Sequence, residues 1–231
     1  MEGFTYVDIF ATQGIEYLLV IIGLLFFTFF WRFLSRPAVA VYREAENVAS
    51  TISDWFHLPV EGVYFHQGHS WAAPEDGEVV RVGMDDFAQK LVGKIDAIKF
   101  PNVGSQVAQG EKAWSLLVGS KSIDMLSPVD GKILEINERL LNSPESINKD
   151  PYGQSWLMKV QAPKISSNLK NLLSGSLAKK WMEGVRENLL ARMNYNLGAV
   201  YQDGGVPVDG IARNLDRERW DEIVREFFLI S

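Results

Sequence analysis

The chain has no cysteine, which excludes disulfides, thiolate metal sites and cysteine nucleophiles. Histidine is nearly as scarce, with three residues in 231. His66 and His69 share an HxxH spacing, but the Gln67-Gly68 between them reads as a turn entering a strand. No group of carboxylates completes a metal shell beside them. No lysine or arginine precedes Arg32. The formal net charge is −6, without the concentrated basic face of a nucleic-acid binder, so nucleic acid is not expected as a partner. No phosphate loop, nucleophile–base pairing or pair of carboxylates suggests an active site. The chain is therefore expected not to be an enzyme, with no catalytic residue and no metal ligand assigned.

Apolar residues dominate the amino-terminal region. From Ile15 to Leu34 the sequence reads IEYLLVIIGLLFFTFFWRFL, with Glu16 and Arg32 as its only charges. At about 1.5 Å of rise per residue, a run of this length matches a hydrocarbon core of about 30 Å. A cleaved signal would need a basic start and small residues at its end. This run instead follows Glu2 and Asp8 and closes on Phe29, Phe30 and Trp31, so it is expected to be retained. Arg32, Arg36 and Arg43 follow it, which places the carboxy-terminal bulk in the cytoplasm. The expectation is an amino-terminal segment over 1–14 and a single transmembrane helix over 15–36 in the inner (cytoplasmic) membrane, contacting the lipid bilayer. A juxtamembrane helical connector over 37–59 follows, with Val41, Ala45, Val48 and Ile52 at helical spacing.

The pattern changes between residues 60 and 162. Short apolar runs at 78–83, 95–100, 113–118, 123–126 and 132–136 alternate with Asp76-Gly77, Gly104, Gly110 and Asp130-Gly131. Such spacing predicts short antiparallel strands in a small sandwich or barrel. Phe87, Ala88 and Leu91 interrupt them at helical spacing. Trp71, Trp114 and Trp156 read as packing residues with a polar edge.

A set of motifs in this region occurs in one order: His69-Ser70-Trp71, Val82 to Gln89, Leu91-Val92-Gly93, Pro101 to Gly104, Ser127-Pro128-Val129-Asp130-Gly131, Asn148, and Asp150 to Gly153 with Trp156-Leu157. Together they resemble the H protein of glycine cleavage. The resemblance implies a fold that is mainly β with α: a lipoyl-domain type of flattened β-barrel sandwich, whose carrier lysine sits on an exposed hairpin turn. In that family the modification loop resembles Glu-Ser-Val-Lys-Ala, with its lysine seven residues before a Ser-Pro. Here that register falls on Ser120, and Lys121 comes one residue late. Leu117 stands at the family's acidic position, and Asp124 keeps the acidic position after the lysine. Because strand side chains alternate faces, a slip of one residue redirects a side chain. Loss of the lipoyl group is therefore the expectation, with Lys121 kept as the candidate cofactor-attachment residue.

Residues 163–200 read as carboxy-terminal helices packed on the domain, and 201–231 as a turn-rich connector followed by an amphipathic helix over 214–230. On that helix Trp220, Ile223, Phe227 and Phe228 form one apolar face and are expected to dock a partner, the alternative being the domain itself. The chain is expected to be a membrane-anchored interaction or assembly subunit whose partners are other subunits of a membrane-bound complex, of respiratory or electron-transfer type by analogy. The rival is a true lipoyl carrier modified at Lys121, shuttling reducing equivalents or an aminomethyl group between enzymes.

Overall fold

The computed structural model describes residues 9–34, 56–59, 61–197 and 209–230. The chain divides into two units, Met1–Ser50 and Thr51–Ser231. Among the described residues the first contains one helix, α1 (Ile9–Leu34), of 26 residues. Side chains of α1 are described for 17–32, and large apolar groups among them, including Leu18, Ile21, Phe26 and Phe29, are exposed. Those sixteen residues rise about 24 Å. Among the described residues no helix is long and apolar enough to cross a membrane. The expected connector helix falls outside the described residues apart from 56–59, and so does the connector of 201–208.

The second unit is a two-sheet antiparallel sandwich. Its strands are β1 (Tyr64–Phe65), β2 (Ser70–Pro74), β3 (Val79–Met84), β4 (Ala97–Lys99), β5 (Gln106–Val107), β6 (Lys112–Val118), β7 (Lys121–Leu126), β8 (Gly131–Ile136) and β9 (Met158–Gln161). One sheet runs β1-β2-β3-β9-β8-β5 and the other β4-β6-β7. Alternation places Val80, Val82 and Met84 of β3 inward, with Val160 of β9 and Ile133 of β8. The small sheet contributes Trp114, Leu116 and Val118 from β6, and Ile123 and Met125 from β7, to the same core. Burying such side chains contributes about 1.5–3 kcal/mol each. Gly83 pairs with Trp71 across β2 and β3. A Cβ there would lie 2.5 Å from the Trp71 ring, so glycine is what lets the indole lie against the strand. The Trp71 Nε1–H donates to the Met84 and Pro151 carbonyls, both at 3.1 Å.

Helix α2 (Asp86–Val92) leaves β3. The Asp85 carboxylate caps it by accepting from the Ala88 N–H at 2.8 Å. Short helix α3 (Arg139–Asn142) and a 3₁₀ turn (Pro144–Lys149) lie between β8 and β9. After β9 come α4 (Ile165–Asn168) and the long α5 (Gly175–Leu197), whose Ala178 packs with Phe65 and Trp71. The carboxy-terminal region then forms α6 (Ile211–Leu215) and α7 (Trp220–Phe227).

The single helix expected over 214–230 is thus two helices. Asp216 is extended, at φ −150, and its carboxylate accepts from the backbone N–H groups of Glu218 and Arg219, both at 2.9 Å. Such a local side-chain to backbone turn ends one helix and starts the next.

Candidate functional site

The β6–β7 hairpin carries the site. Val118 pairs with Lys121, so the turn consists of two residues, Gly119 and Ser120. Gly119 has φ 61 and occupies the first central position, where a tight hairpin turn of the II′ type needs glycine. Its N–H donates to the Asp96 carboxylate at 2.6 Å, tying the turn to the strand β4 side. Ser120 is exposed at the tip. Lys121 is the first residue of β7, on the same face as the buried Ile123 and Met125.

That position determines what surrounds the Lys121 amine. It forms an ion pair with the Asp221 carboxylate and donates to the Glu218 carbonyl at 3.2 Å. The Lys121 side chain is 37% exposed and that of Asp221 16%. Asp221 lies in the first turn of α7 and Glu218 just before it. A second contact fixes the same helix on the same strand, with Arg225 donating through Nη2 to the Ser122 carbonyl at 3.1 Å. Asp124, two residues beyond Ser122, is bound by Lys112 and Ser115, both at 2.8 Å. Burial raises its pKa, but these hydrogen bonds and the Lys112 and Arg225 charges outweigh that and leave it below its ordinary value.

The four residues expected to meet a partner are placed differently. Trp220 and Phe228 belong to the chain's own core, and Ile223 and Phe227 are half-buried against it. Val224 completes that face with no exposure. The physical reason is that the face has somewhere closer to go. Phe228 lies 5.8 Å from the His69 ring and Phe227 5.3 Å from Phe87, so the helix closes over the sandwich. Trp220 and Phe228 are therefore not available as anchors for another protein while α7 is docked.

The HxxH pair does not converge on one point. The His66 Nδ1 accepts from the Gly68 N–H at 3.0 Å, whereas the His69 Nδ1 lies 2.8 Å from the Asp85 carboxylate. Among the described residues no cluster could hold a metal ion. Burial, and then the neighbouring His69, lowers the His66 pKa. Sequence reasoning missed Asp221 and Glu218 as partners of Lys121. An acidic residue such as Asp221 in the first turn of a helix is ordinary, Glu218 contributes only its backbone carbonyl, and nothing local connects positions 97 and 100 residues apart.

A sandwich of small antiparallel sheets with helices, and a lysine closing a tight exposed hairpin, is an H-protein-like architecture. The family model described as glycine cleavage H-protein matches residues 63–185, more than half of the chain, and the chain belongs to that family. A glycine cleavage system H protein of Coprothermobacter proteolyticus is 37% identical over 123 residues, covering 53% of this chain and 96% of that protein. A probable glycine cleavage system H protein of Pyrococcus abyssi is also 37% identical over 123 residues, covering 53% and 89%. The crystal structure of a glycine cleavage system H protein from Mycobacterium marinum gives a TM-score of 0.47 at 27% identity, covering 55% of this chain and 99% of that one. Helix α1 and the α6–α7 segment lie outside the matched residues.

Proposed function

We propose that this protein is a carrier-type member of the H-protein family. It accepts a lipoyl group on Lys121 and is tethered by α1 to the inner membrane, with the sandwich on the cytoplasmic side. The observation that carries the carrier reading is the position of Lys121 in a family module. It closes the hairpin turn, its side chain is partly exposed, and its amine is held only by contacts from 218–221 among the described residues. An acyl group there requires the Asp221 and Glu218 contacts to be released, while the strands that carry the hairpin stay in place. Acylation makes an amide at Nζ as the activated acyl donor loses its leaving group, and the amine must give up its proton first. When attached, a lipoyl amide supplies a dithiol or disulfide that passes a group or electrons between partners. The protein's own contribution is to present the amine at the start of β7, beside a two-residue turn pinned by Asp96.

Tethering is supported by the 26-residue helical backbone of α1 and its exposed apolar side chains. An uncovered apolar surface of this extent needs a cover. The orientation is supported by the arginines that follow the apolar run, none preceding Arg32. A reporter active only outside the membrane, fused after Ser231, should stay silent. Activity there overturns the orientation.

The second reading is an unmodified assembly module of a membrane-bound complex, of respiratory or electron-transfer type. It is favoured by Ser120 at the turn tip and by the Lys121–Asp221 ion pair. Intact mass of the full chain co-produced with a lipoyl ligase separates the two. The carrier reading expects a gain of one lipoyl group mapped to Lys121 and lost in Lys121→Ala. An unmodified mass favours the assembly module.

A further inference from the structure

Two non-glycine residues with positive φ occur among the described residues, His69 at 63 and Leu229 at 58. Both line the same cavity of about 450 Å³, together with Lys180, Trp181, Arg192 and Phe227. Positive φ strains a residue that has a Cβ, and such strain gathers at functional sites. The two strained positions are 160 residues apart in sequence, so one local turn does not explain their meeting.

His69 lies at the floor of this cavity and is 1% exposed. Its Nδ1 is 2.8 Å from Asp85. A carboxylate only accepts, so Nδ1 is the donor. One ring face lies on Phe87, with centroids 4.4 Å apart, and Trp181 is 4.9 Å away. With Nδ1 committed and both rings packed on it, the edge left for the cavity is the one that carries Nε2. No hydrogen bond to Nε2 is made among the described residues. A buried imidazole with one nitrogen bound and the other unpartnered is a group waiting for a ligand.

The rest of the lining selects the chemistry. Lys180 is an exposed cation at the rim. The carboxylate of Glu226 is taken by Arg192 in an ion pair, so it does not repel an anion entering beside Lys180. Trp181 and Phe227 add flat apolar walls, and the α5 residue Gly184 leaves open space where a side chain would stand. We propose that the cavity binds a small organic acid, its flat apolar body against Trp181 and Phe227 and its acid group between His69 Nε2 and the Lys180 ammonium. One proton taken from solvent lies between the bound carboxylate and Nε2, with the Asp85 carboxylate on the far side of the ring. The assignment is independent of whether Lys121 is acylated.

Benzoate is the probe, added to the full chain in detergent with ¹⁵N-labelled histidine, whose three imidazoles report separately. A saturable shift confined to the His69 Nε2 resonance is expected, with affinity weakened about tenfold in Lys180→Ala, the loss of one charge-assisted contact. Lys180 is exposed, so that variant keeps the fold, and His69→Gln should abolish benzoate binding measured by titration calorimetry. Three results overturn the proposal: no saturable shift, equal shifts at His57 and His66, or unchanged affinity in Lys180→Ala. Inorganic phosphate binding as tightly as benzoate overturns it as well, because the apolar walls would then contribute nothing.

Discussion

Lys121 shows how a one-residue displacement changes the chemistry of a group without removing it. At the hairpin tip its amine would face solvent. At the first position of β7 it faces Asp221. A partly exposed ion pair of this kind contributes at most about 1 kcal/mol, so it biases access to the amine without blocking it. Asp221→Asn should raise the rate of Lys121 acetylation by a small amine-reactive ester about two- to fivefold, read by peptide mass spectrometry against exposed lysines such as Lys180. An unchanged rate removes Asp221 as a cover. Gly83 is a second residue whose identity follows from contact geometry. Gly83→Ala drives a Cβ into the Trp71 ring and should cost about 1–3 kcal/mol by overpacking, measured by urea unfolding; a cost under about 0.5 kcal/mol would mean the indole moves freely. His66 gives the pH dependence. Its pKa is lowered in the folded protein by burial and then by His69, so the unfolded chain takes up the proton first as pH falls. The His66 contribution is complete above its ordinary value of about 6.5 and is lost progressively as pH falls through its folded value. Urea midpoints at pH 7.5 and 5.5 should therefore differ more in the native protein than in His66→Gln.

At the scale of elements, the strands were legible because apolar alternation and Asp-Gly turns are local signals. The runs at 78–83, 113–118 and 132–136 became β3, β6 and β8 nearly as read. The hairpin was expected from the family resemblance, and its two flanking runs at 113–118 and 123–126 were legible as strands. The carboxy-terminal segment was legible only as an apolar face. Its partner surface is β7 and the His69–Phe87 region, more than 90 residues earlier, and periodicity does not report which surface a face meets. The break at Asp216 was hidden too, since an aspartate within a helical pattern is unremarkable until its carboxylate is seen to bind Glu218 and Arg219. Because Trp220 and Phe228 lie in the core, Trp220→Ala should destabilise the sandwich by about 3–5 kcal/mol, with a further loss from the Arg213 guanidinium 4.9 Å over the indole. Thermal unfolding followed by near-ultraviolet circular dichroism checks this. A loss under about 1 kcal/mol would show α7 to be an appendage that the sandwich does not need.

Across the whole molecule, an H-protein module is extended at both ends. The amino-terminal addition is an apolar helix, and the carboxy-terminal addition is a pair of short helices that returns to the module and covers its candidate attachment residue. A tether raises the effective concentration of a carrier for partners on the same surface. The cover biases access to the amine without blocking it. Both features have meaning for a carrier only if Lys121 is acylated. The most direct measurement is therefore a time course of lipoylation of the full chain by a lipoyl ligase, with intact mass and peptide mapping, run side by side for the native protein and Asp221→Asn. One lipoyl group on Lys121 in both, appearing faster in Asp221→Asn, is the result expected. No mass gain on Lys121 in either protein, under conditions that modify a control H protein, contradicts the carrier account.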